Sequence, residues 1–229
     1  MSFTPRVTPA RTALLGACGL LAFITFNAGW ILGDLAQPTA FSPARDDISD
    51  LGALTASSPW LYNQLAANIS GLLVVALGIG LWRALSPSRL GRLGSALLIA
   101  TGVGAFLDGI FRLDCQGIDA ACSNDSWHSH GHKIESALTG ATTLLALLVL
   151  AISFRRNAEW RGAWIPLLAA LPAVIAANLL FSPLGAGAAT RAGTVVIFSA
   201  FAFLGVRLLQ NSEREDTIES QRERRGSTR

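Results

Sequence analysis

Six apolar stretches, each close to the length of a membrane-spanning helix, constrain this chain more than any other feature. A helix needs about 20 mostly apolar residues to cross the hydrocarbon core of a bilayer. The chain has such stretches at roughly 12–33, 62–84, 93–113, 134–154, 163–181 and 192–210. They take up more than half of the 229 residues, and only 14% of the residues are charged. The sequence therefore predicts an all-α, polytopic membrane bundle with about six transmembrane helices.

The predicted bundle forms one domain, residues 1–211, followed by a charged tail at 212–229. In the tail, Arg is interleaved with Glu and Asp, a pattern typical of a solvated, disordered segment rather than of a nucleic-acid-binding one. The first apolar stretch exceeds the 7–15 residues or so of a signal-peptide core. We therefore expect it to remain as the first span.

Basic residues indicate how the bundle is oriented. They concentrate at the amino terminus, in the second and fourth connections and in the tail. Lys and Arg are enriched in cytoplasmic loops, so both termini are predicted to be cytoplasmic. Lys133 is the single lysine among 18 basic residues, which is typical of a GC-rich bacterial genome and favours the plasma membrane.

The third connection, on the predicted outer face, holds the densest set of reactive side chains. It contains the two cysteines Cys115 and Cys122, which we predict form a disulfide because an outer compartment is oxidising. A metal thiolate pair is the alternative, but the spacing is not C-x-x-C. Tyr62 and Trp60 flank the second span and suit an aromatic belt.

All three histidines lie in this connection or directly after it, and each is a candidate metal ligand. The predicted ligand set for Zn²⁺ is His128, His130, His132 and Asp114. If the fourth span begins early, His128, His132 and Glu135 share one helical face.

Polar side chains inside the spans mark a predicted binding site. Carboxylates at this depth usually pair or face a cavity, and Asp108 with Arg112 four residues later is the obvious local pair. Asn63 and Asn68, at the start of the second span, either join helices by hydrogen bonds or line a polar cavity. The binding set is thus Asn63, Asn68, Asp108 and Arg112.

Several short motifs resemble those of a bacterial and archaeal membrane family known as domain of unknown function 998. They are ISDLG at 48–52, SPW at 58–60, an Asn at 63 or 68, GVG at 102–104, GIFRLD at 109–114, and a His that opens the fourth span, best matched by His132. The family often has Pro where this chain has Arg112. The resemblance covers roughly residues 1–210 and implies a six-span fold; it implies no activity.

Three functional hypotheses follow, and whether the chain is an enzyme stays open. The first is a sensor, accessory or small-ligand and lipid-binding protein with a polar pocket at the outer boundary. The second is a metal-assisted membrane hydrolase, with Asp108, Asp114, His132 and Glu135 as catalytic candidates and Glu135 or Asp50 as general base. The third is a small-solute or ion transporter.

The expected partner is the lipid bilayer, with a second copy or another membrane protein left open, and no nucleic acid is expected. The sequence has no phosphate-binding loop of the nucleotide-hydrolase type and no G-x-S-x-G nucleophile elbow. Because all three histidines fall in one place, a haem held between two spans is disfavoured.

Overall fold

The structure is a computed structural model that describes residues 9–227. In this range it is all-helical, without strands, and six of its helical segments are long and apolar enough to cross a membrane, which confirms the predicted fold class. The helices are α1 (Pro9–Ala36), α2 (Ser70–Ala84), α3 (Arg89–Asp108), α4 (Trp127–Arg156), α5 (Trp164–Phe181) and α6 (Ala186–Ser227). A π-helix (Leu61–Ile69) leads directly into α2 and completes the second span. Short 3₁₀ helices occupy Ile48–Gly52, Arg161–Ala163 and Ser182–Leu184.

The helices form a closed ring in chain order. Each packs against its neighbours in sequence, and α6 packs back against α1. The close contacts rest on small residues: a side chain on Gly19 would meet the backbone of Phe201 and Gly205, and one on Gly71 would meet Gly102 and Phe106. Small residues at such crossings let helix backbones approach, as expected for a membrane bundle.

The two ends of the ring differ in chemistry. We call the end that carries the connections 37–60, 109–126 and 182–185 the site face, and the opposite end the basic face. At the basic face, Arg92 lies 4.7 Å from the centre of the Trp82 ring and Arg155 lies 5.5 Å from that of Trp164. Such cation–π contacts suit side chains that anchor helix ends at a membrane surface.

Fully buried leucines fill the half of the ring nearer the basic face, and Leu77, Leu98, Leu147 and Leu204 have no exposed surface. At the site face, a buried ion pair joins two helices. Arg191 donates to both carboxylate oxygens of Asp34, at 3.0 and 2.6 Å, which ties the start of α6 to the end of α1.

Two predicted helix boundaries were wrong. The third span ends at Asp108 instead of 113, because Gly109 closes the helix and the chain turns at Ile110 and Phe111. The fourth span begins at Trp127, with Ser126 as its N-cap, so it starts seven residues earlier than the predicted 134.

The segment predicted to be a disordered tail continues α6 to Ser227, consistent with the high helix propensity of its Glu, Gln and Arg residues. Residues 1–8 and 228–229, including the amino-terminal Arg6, lie outside the described residues.

Candidate functional site

A cavity of about 700 Å³ opens at the site face and reaches into the middle of the ring. Its rim carries the charged side chains of Asp47, Asp50 and Lys133. Its far end is apolar. The residues there are Phe26, Val74, Ile197, Phe198 and Phe201. The cavity is therefore amphipathic along its length, polar near the loops and hydrocarbon-like towards the centre of the bundle.

Three ionisable side chains meet in the wall between these two ends. Asp108 comes from the last residue of α3, and His132 and Glu135 come from the second and third turns of α4. The Nδ1 atom of His132 lies 2.9 Å from Oδ1 of Asp108. One ligand-type atom from each of the three residues lies within 4.8 Å of the other two. Because α4 begins early, His132 and Glu135 are one turn apart and point the same way.

Neighbouring hydroxyl groups hold the two carboxylates in place. The Tyr62 hydroxyl donates to Oδ2 of Asp108 at 2.9 Å, and the Thr139 hydroxyl donates to Oε1 of Glu135 at 2.6 Å. The other Glu135 oxygen, Oε2, is buried and has no hydrogen-bond partner. An unpaired buried carboxylate oxygen is costly, so its presence points to a ligand.

Neither Tyr62 nor Thr139 was among the site residues predicted from sequence. We predicted Tyr62 in an interfacial aromatic belt, but its side chain is only 5% exposed and faces the cluster, so that prediction was wrong. Its neighbour Trp60 is exposed, as an interfacial residue should be. The signal for Thr139 was present, because a hydroxyl four residues after Glu135 falls on the same helical face.

The π-helix turns Tyr62, Asn63 and Asn68 towards the centre of the ring. Asn63 donates to the Gly52 carbonyl at 3.1 Å, and Asn68 donates to the Phe106 carbonyl at 2.7 Å, beside the end of α3. The two amides thus join elements around the cavity, and neither is among the residues that line it. Segments of π-helix occur frequently at functional sites.

The third connection is locked to the 3₁₀ helix Ile48–Gly52 across the mouth of the cavity. The Gly117 amide donates to Asp50 at 3.2 Å, and Thr55 donates to Asp119 at 2.5 Å. Burial raises the pKa of Asp50, and repulsion from Asp47 and Asp46 adds to this, while the Gly117 hydrogen bond opposes it. Asp47 caps the 3₁₀ helix, because its side chain accepts a hydrogen bond from the Ile48 amide.

The predicted disulfide residues and Asp114 stabilise this connection. Cys115 and Cys122 are joined by a disulfide, with Cα atoms 6.1 Å apart. Asp114 accepts hydrogen bonds from the Ser126 amide at 2.9 Å and the Ser129 hydroxyl at 3.0 Å. These bonds, those from Ser126 foremost, lower the pKa of Asp114. The Asp114 carboxylate therefore accepts hydrogen bonds from residues at the start of α4.

The remaining predicted residues lie apart from the cluster. His128 stacks on Trp127, with ring centres 3.7 Å apart, and His130 is exposed with Nδ1 2.9 Å from the Ser126 carbonyl oxygen. Arg112 is exposed, and Asp108 contacts His132 and Tyr62 instead, so the local Asp108–Arg112 pair was wrong. The physical reason is that α3 ends at Asp108, which removes the shared helical face.

The lining of the cavity extends to one side of the bundle. Ser136 and Gly140 of α4 and Thr190 and Thr194 of α6 line the cavity, whereas no described residue of α5 does. Helix α5 packs on both α4 and α6, but these two are not closely packed on each other in the described part of the chain. Ser136 and Gly140 are exposed. The cavity wall on this side therefore includes exposed positions of α4 within the membrane-spanning part of the bundle.

The motifs behind the family resemblance surround this cavity. Asp50 and Ile48 of ISDLG line it, a side chain on Gly104 of GVG would meet Thr139 and Glu135, and one on Gly109 would meet Asn68. A family model described as "Protein of unknown function (DUF998)" matches residues 17–207. No curated protein and no solved structure matches the chain.

Proposed function

Because the chain belongs to the DUF998 family, whose description assigns no activity, we propose from its geometry that it binds an amphiphilic lipid in the cavity of its helix ring. The observation that carries the proposal is the polarity of the cavity along its length. Ligand pockets of about 300–1,000 Å³ are typical for molecules of this kind, and this cavity measures about 700 Å³.

The polar end of the cavity suits a head group. Asp108, His132 and Glu135 offer acceptors, and carboxylates outnumber cationic groups along the lining. With no metal ion at the cluster, a head group rich in hydrogen-bond donors or carrying positive charge would therefore be preferred over an anionic one. The apolar end, with Phe26, Phe198 and Phe201, suits a hydrocarbon chain. Burying such a chain contributes about 0.8 kcal/mol for each CH₂ group.

The exposed cavity-lining residues Ser136 and Gly140 of α4 support access from the bilayer. A lipid could slide sideways into the cavity with its head group near the site face, without leaving the membrane. By the distribution of arginines, we place the basic face and both termini in the cytoplasm of a bacterial cell and the protein in its plasma membrane. The ligand would then come from the outer leaflet.

Native mass spectrometry of the full chain, extracted in a mild detergent, tests this proposal. We expect wild type to retain a co-purified lipid. Gly140→Trp should lose it, because Gly140 lines the cavity and a Cβ atom there meets nothing within 4 Å, so a large side chain has room to start from this wall. Leu138→Trp, on an exposed lipid-facing position of the same helix, is the matched control. A wild type free of lipid, or equal retention in Gly140→Trp, contradicts lipid binding.

A second candidate function is hydrolysis of the bound amphiphile, with the Asp108–His132–Glu135 cluster as catalytic centre. It is favoured because a His and two carboxylates that line one cavity can activate a water molecule and stabilise charge. The metal-assisted form of this hypothesis needs a cation at the cluster. Mass analysis of products released from phospholipid or ceramide nanodiscs, in wild type and His132→Gln, distinguishes hydrolysis from binding alone.

Transport receives less support from the geometry. Below the cavity, the fully buried Leu77, Leu98, Leu147 and Leu204 fill the ring towards the basic face. Among the described residues this apolar layer favours a closed pocket over a channel. A sensor or accessory role would use the same pocket, if a partner protein or a second copy responds to its occupancy.

A further inference from the structure

The cluster at the polar end of the cavity has the composition of a cation site. Among the residues that the structure describes, Asp108, His132 and Glu135 are the group of three His, Cys, Asp or Glu side chains whose ligand atoms converge, all within 4.8 Å. His132 is 8% exposed and Glu135 is 7% exposed. Two carboxylates and one imidazole thus share a small, largely buried volume.

We propose that these three residues bind a divalent metal cation, with Zn²⁺ the first candidate. The observation that points to a ligand, independently of the clustering, is Oε2 of Glu135. This oxygen is buried, belongs to a side chain that lines the cavity, and has no hydrogen-bond partner. A cation would satisfy this oxygen and would balance the charge of the two carboxylates.

The distances suit a small cation after modest side-chain movement. Bonds of about 2.0–2.2 Å from Zn²⁺ to nitrogen and oxygen place tetrahedral ligand atoms about 3.4 Å apart. The His132–Asp108 pair is slightly closer than this, at 2.9 Å, and the full set spans up to 4.8 Å. Shifts of about one ångström in side chains on two helix ends would therefore complete the coordination.

The surroundings have the hydrogen bonds that metal sites use to orient their ligands. Tyr62 donates to the Asp108 carboxylate and Thr139 donates to the Glu135 carboxylate. Such outer partners fix the direction of a ligand and tune its affinity for the metal. Three protein ligands leave a fourth position, and the cavity lies in front of it. This is the arrangement of a catalytic rather than a purely structural zinc site.

The ligand types narrow the choice of cation. Imidazole with carboxylates suits Zn²⁺, Mn²⁺ or Fe²⁺, whereas Ca²⁺ takes about six to eight oxygen ligands. The ligand set differs from the one predicted from sequence, which combined His132 with His128, His130 and Asp114. The Asp114 carboxylate accepts two hydrogen bonds at the start of α4, so the ion is placed deeper, at the ends of α3 and α4.

Metal titration of the full chain in detergent tests the site. The protein is stripped with a chelator, loaded with Zn²⁺ and analysed by elemental mass spectrometry. We expect about one equivalent per chain in wild type, and loss of binding by at least about tenfold in His132→Gln and Glu135→Gln. The matched controls are His130→Gln and Glu159→Gln, both at exposed positions; these should bind like wild type.

A milder variant guards against loss of folding. Thr139→Val keeps all three ligands and removes only the hydroxyl that orients Glu135, so we expect about tenfold weaker Zn²⁺ binding in a folded protein. Thr25→Val is its control, because the Thr25 hydroxyl bonds only within its own helix, to the Leu21 and Ala22 carbonyls. Co²⁺ loaded in place of Zn²⁺ should show visible absorption that His132→Gln abolishes.

Metal binding and lipid binding can fail separately. Gly140→Trp should release lipid yet bind Zn²⁺ like wild type, since Gly140 is not among the three ligands. Wild type that takes up no Zn²⁺, or that binds equally well after His132→Gln and Glu135→Gln, overturns the cation site. Loss of Zn²⁺ in His130→Gln would also overturn it, because the ion would then lie in the loop.

Discussion

Gly104 is where the packing of α3 on α4 comes closest to the polar cluster. A methyl group at this position would overlap the Thr139 hydroxyl and approach Oε1 of Glu135 to 3.3 Å. Overpacking of this kind typically costs about 1–3 kcal/mol. We therefore expect Gly104→Ala to lower the thermal unfolding temperature in detergent and to weaken Zn²⁺ binding.

Gly140→Ala is the control for that prediction, since a methyl group there meets nothing within 4 Å. Both glycines lie in spans, and both substitutions add the same atoms and raise helix propensity alike. Equal unfolding temperatures for the two variants would show that α3 does not press on Thr139 as described.

Asp50 offers a prediction about pH. Its pKa is raised in the folded protein, mainly by burial. The folded state therefore holds the proton more tightly than the unfolded chain, and ionisation of Asp50 destabilises the fold as pH rises past its usual value. Asp50→Asn lacks this charge and still offers an oxygen to the Gly117 amide. We expect this variant to unfold at a higher temperature than wild type at about pH 8.

The comparison at acid pH completes the test. As the pH falls towards the ordinary pKa of an aspartate, Asp50 takes up its proton in the folded protein before it does in the unfolded chain, so the advantage of Asp50→Asn should shrink at about pH 4. Thermal unfolding in detergent at both pH values measures it, with Asp125→Asn at an exposed position as control. An Asp50→Asn protein that unfolds at a lower temperature at both values would show that the carboxylate stabilises the mouth of the cavity.

At the scale of residues, the sequence predicted the three ionisable residues of the cluster but not the contacts that they make. Asp108, His132 and Glu135 stand out because charged groups are rare in apolar helices. Their mutual contact depends on two boundaries, the end of α3 at Asp108 and the start of α4 at Trp127. Hydropathy does not locate the end of α3, because the apolar residues Ile110 and Phe111 follow the helix directly. The Arg112 partner was inferred from a helical face that does not exist.

At the scale of elements, the π-helix is the part of the fold that hydropathy could not predict. The segment Leu61–Ile69 continues the apolar run of α2, and nothing in its composition marks a change in winding. The wider turn of the π-helix nevertheless orients Tyr62 to hydrogen-bond with Asp108 and Asn63 to hydrogen-bond with Gly52. These side-chain hydrogen bonds join the π-helix to other parts of the chain, and no periodic pattern in the sequence predicts them.

The pair Asp34–Arg191 joins the two helices that close the ring. Both side chains are about nine-tenths buried, and Arg191 also donates to the Asp46 and Gly187 carbonyls. Removing one partner of a buried pair typically costs about 3–5 kcal/mol, because the other charge stays buried. We expect Asp34→Asn to destabilise the protein by about 3 kcal/mol in a reversible unfolding assay.

The double variant Asp34→Asn/Arg191→Met distinguishes an ion pair from simple packing. Once the guanidinium is gone, the loss of the Asp34 charge should matter little, so the double variant should be more stable than Asp34→Asn alone. If the double variant loses as much stability as Asp34→Asn and Arg191→Met lose together, the two side chains do not stabilise each other.

At the scale of the whole molecule, the closed ring explains why a chain with so few polar residues can hold a polar site. Six helices in sequence order bring residues of α1, α2, α3, α4 and α6 around one space, while no described residue of α5 lines it. The sequence predicted the number of spans, since each is long and apolar. It could not predict the cavity, which depends on how side chains from five long helices, the π-helix and the loops fit together.

The orientation of the whole molecule decides which leaflet and which compartment reach the site. If the basic face lies in the cytoplasm, as proposed, Thr39 lies outside the cell and Glu159 inside. In a chain carrying Cys18→Ala, we expect Thr39→Cys to react with a membrane-impermeant maleimide in intact cells, and Glu159→Cys to react only after permeabilisation. Both positions are exposed, so reactivity reports the side of the membrane and not burial. The reverse pattern would place the cavity and its cluster on the cytoplasmic side, where the outer-leaflet lipid proposed as ligand could not reach it.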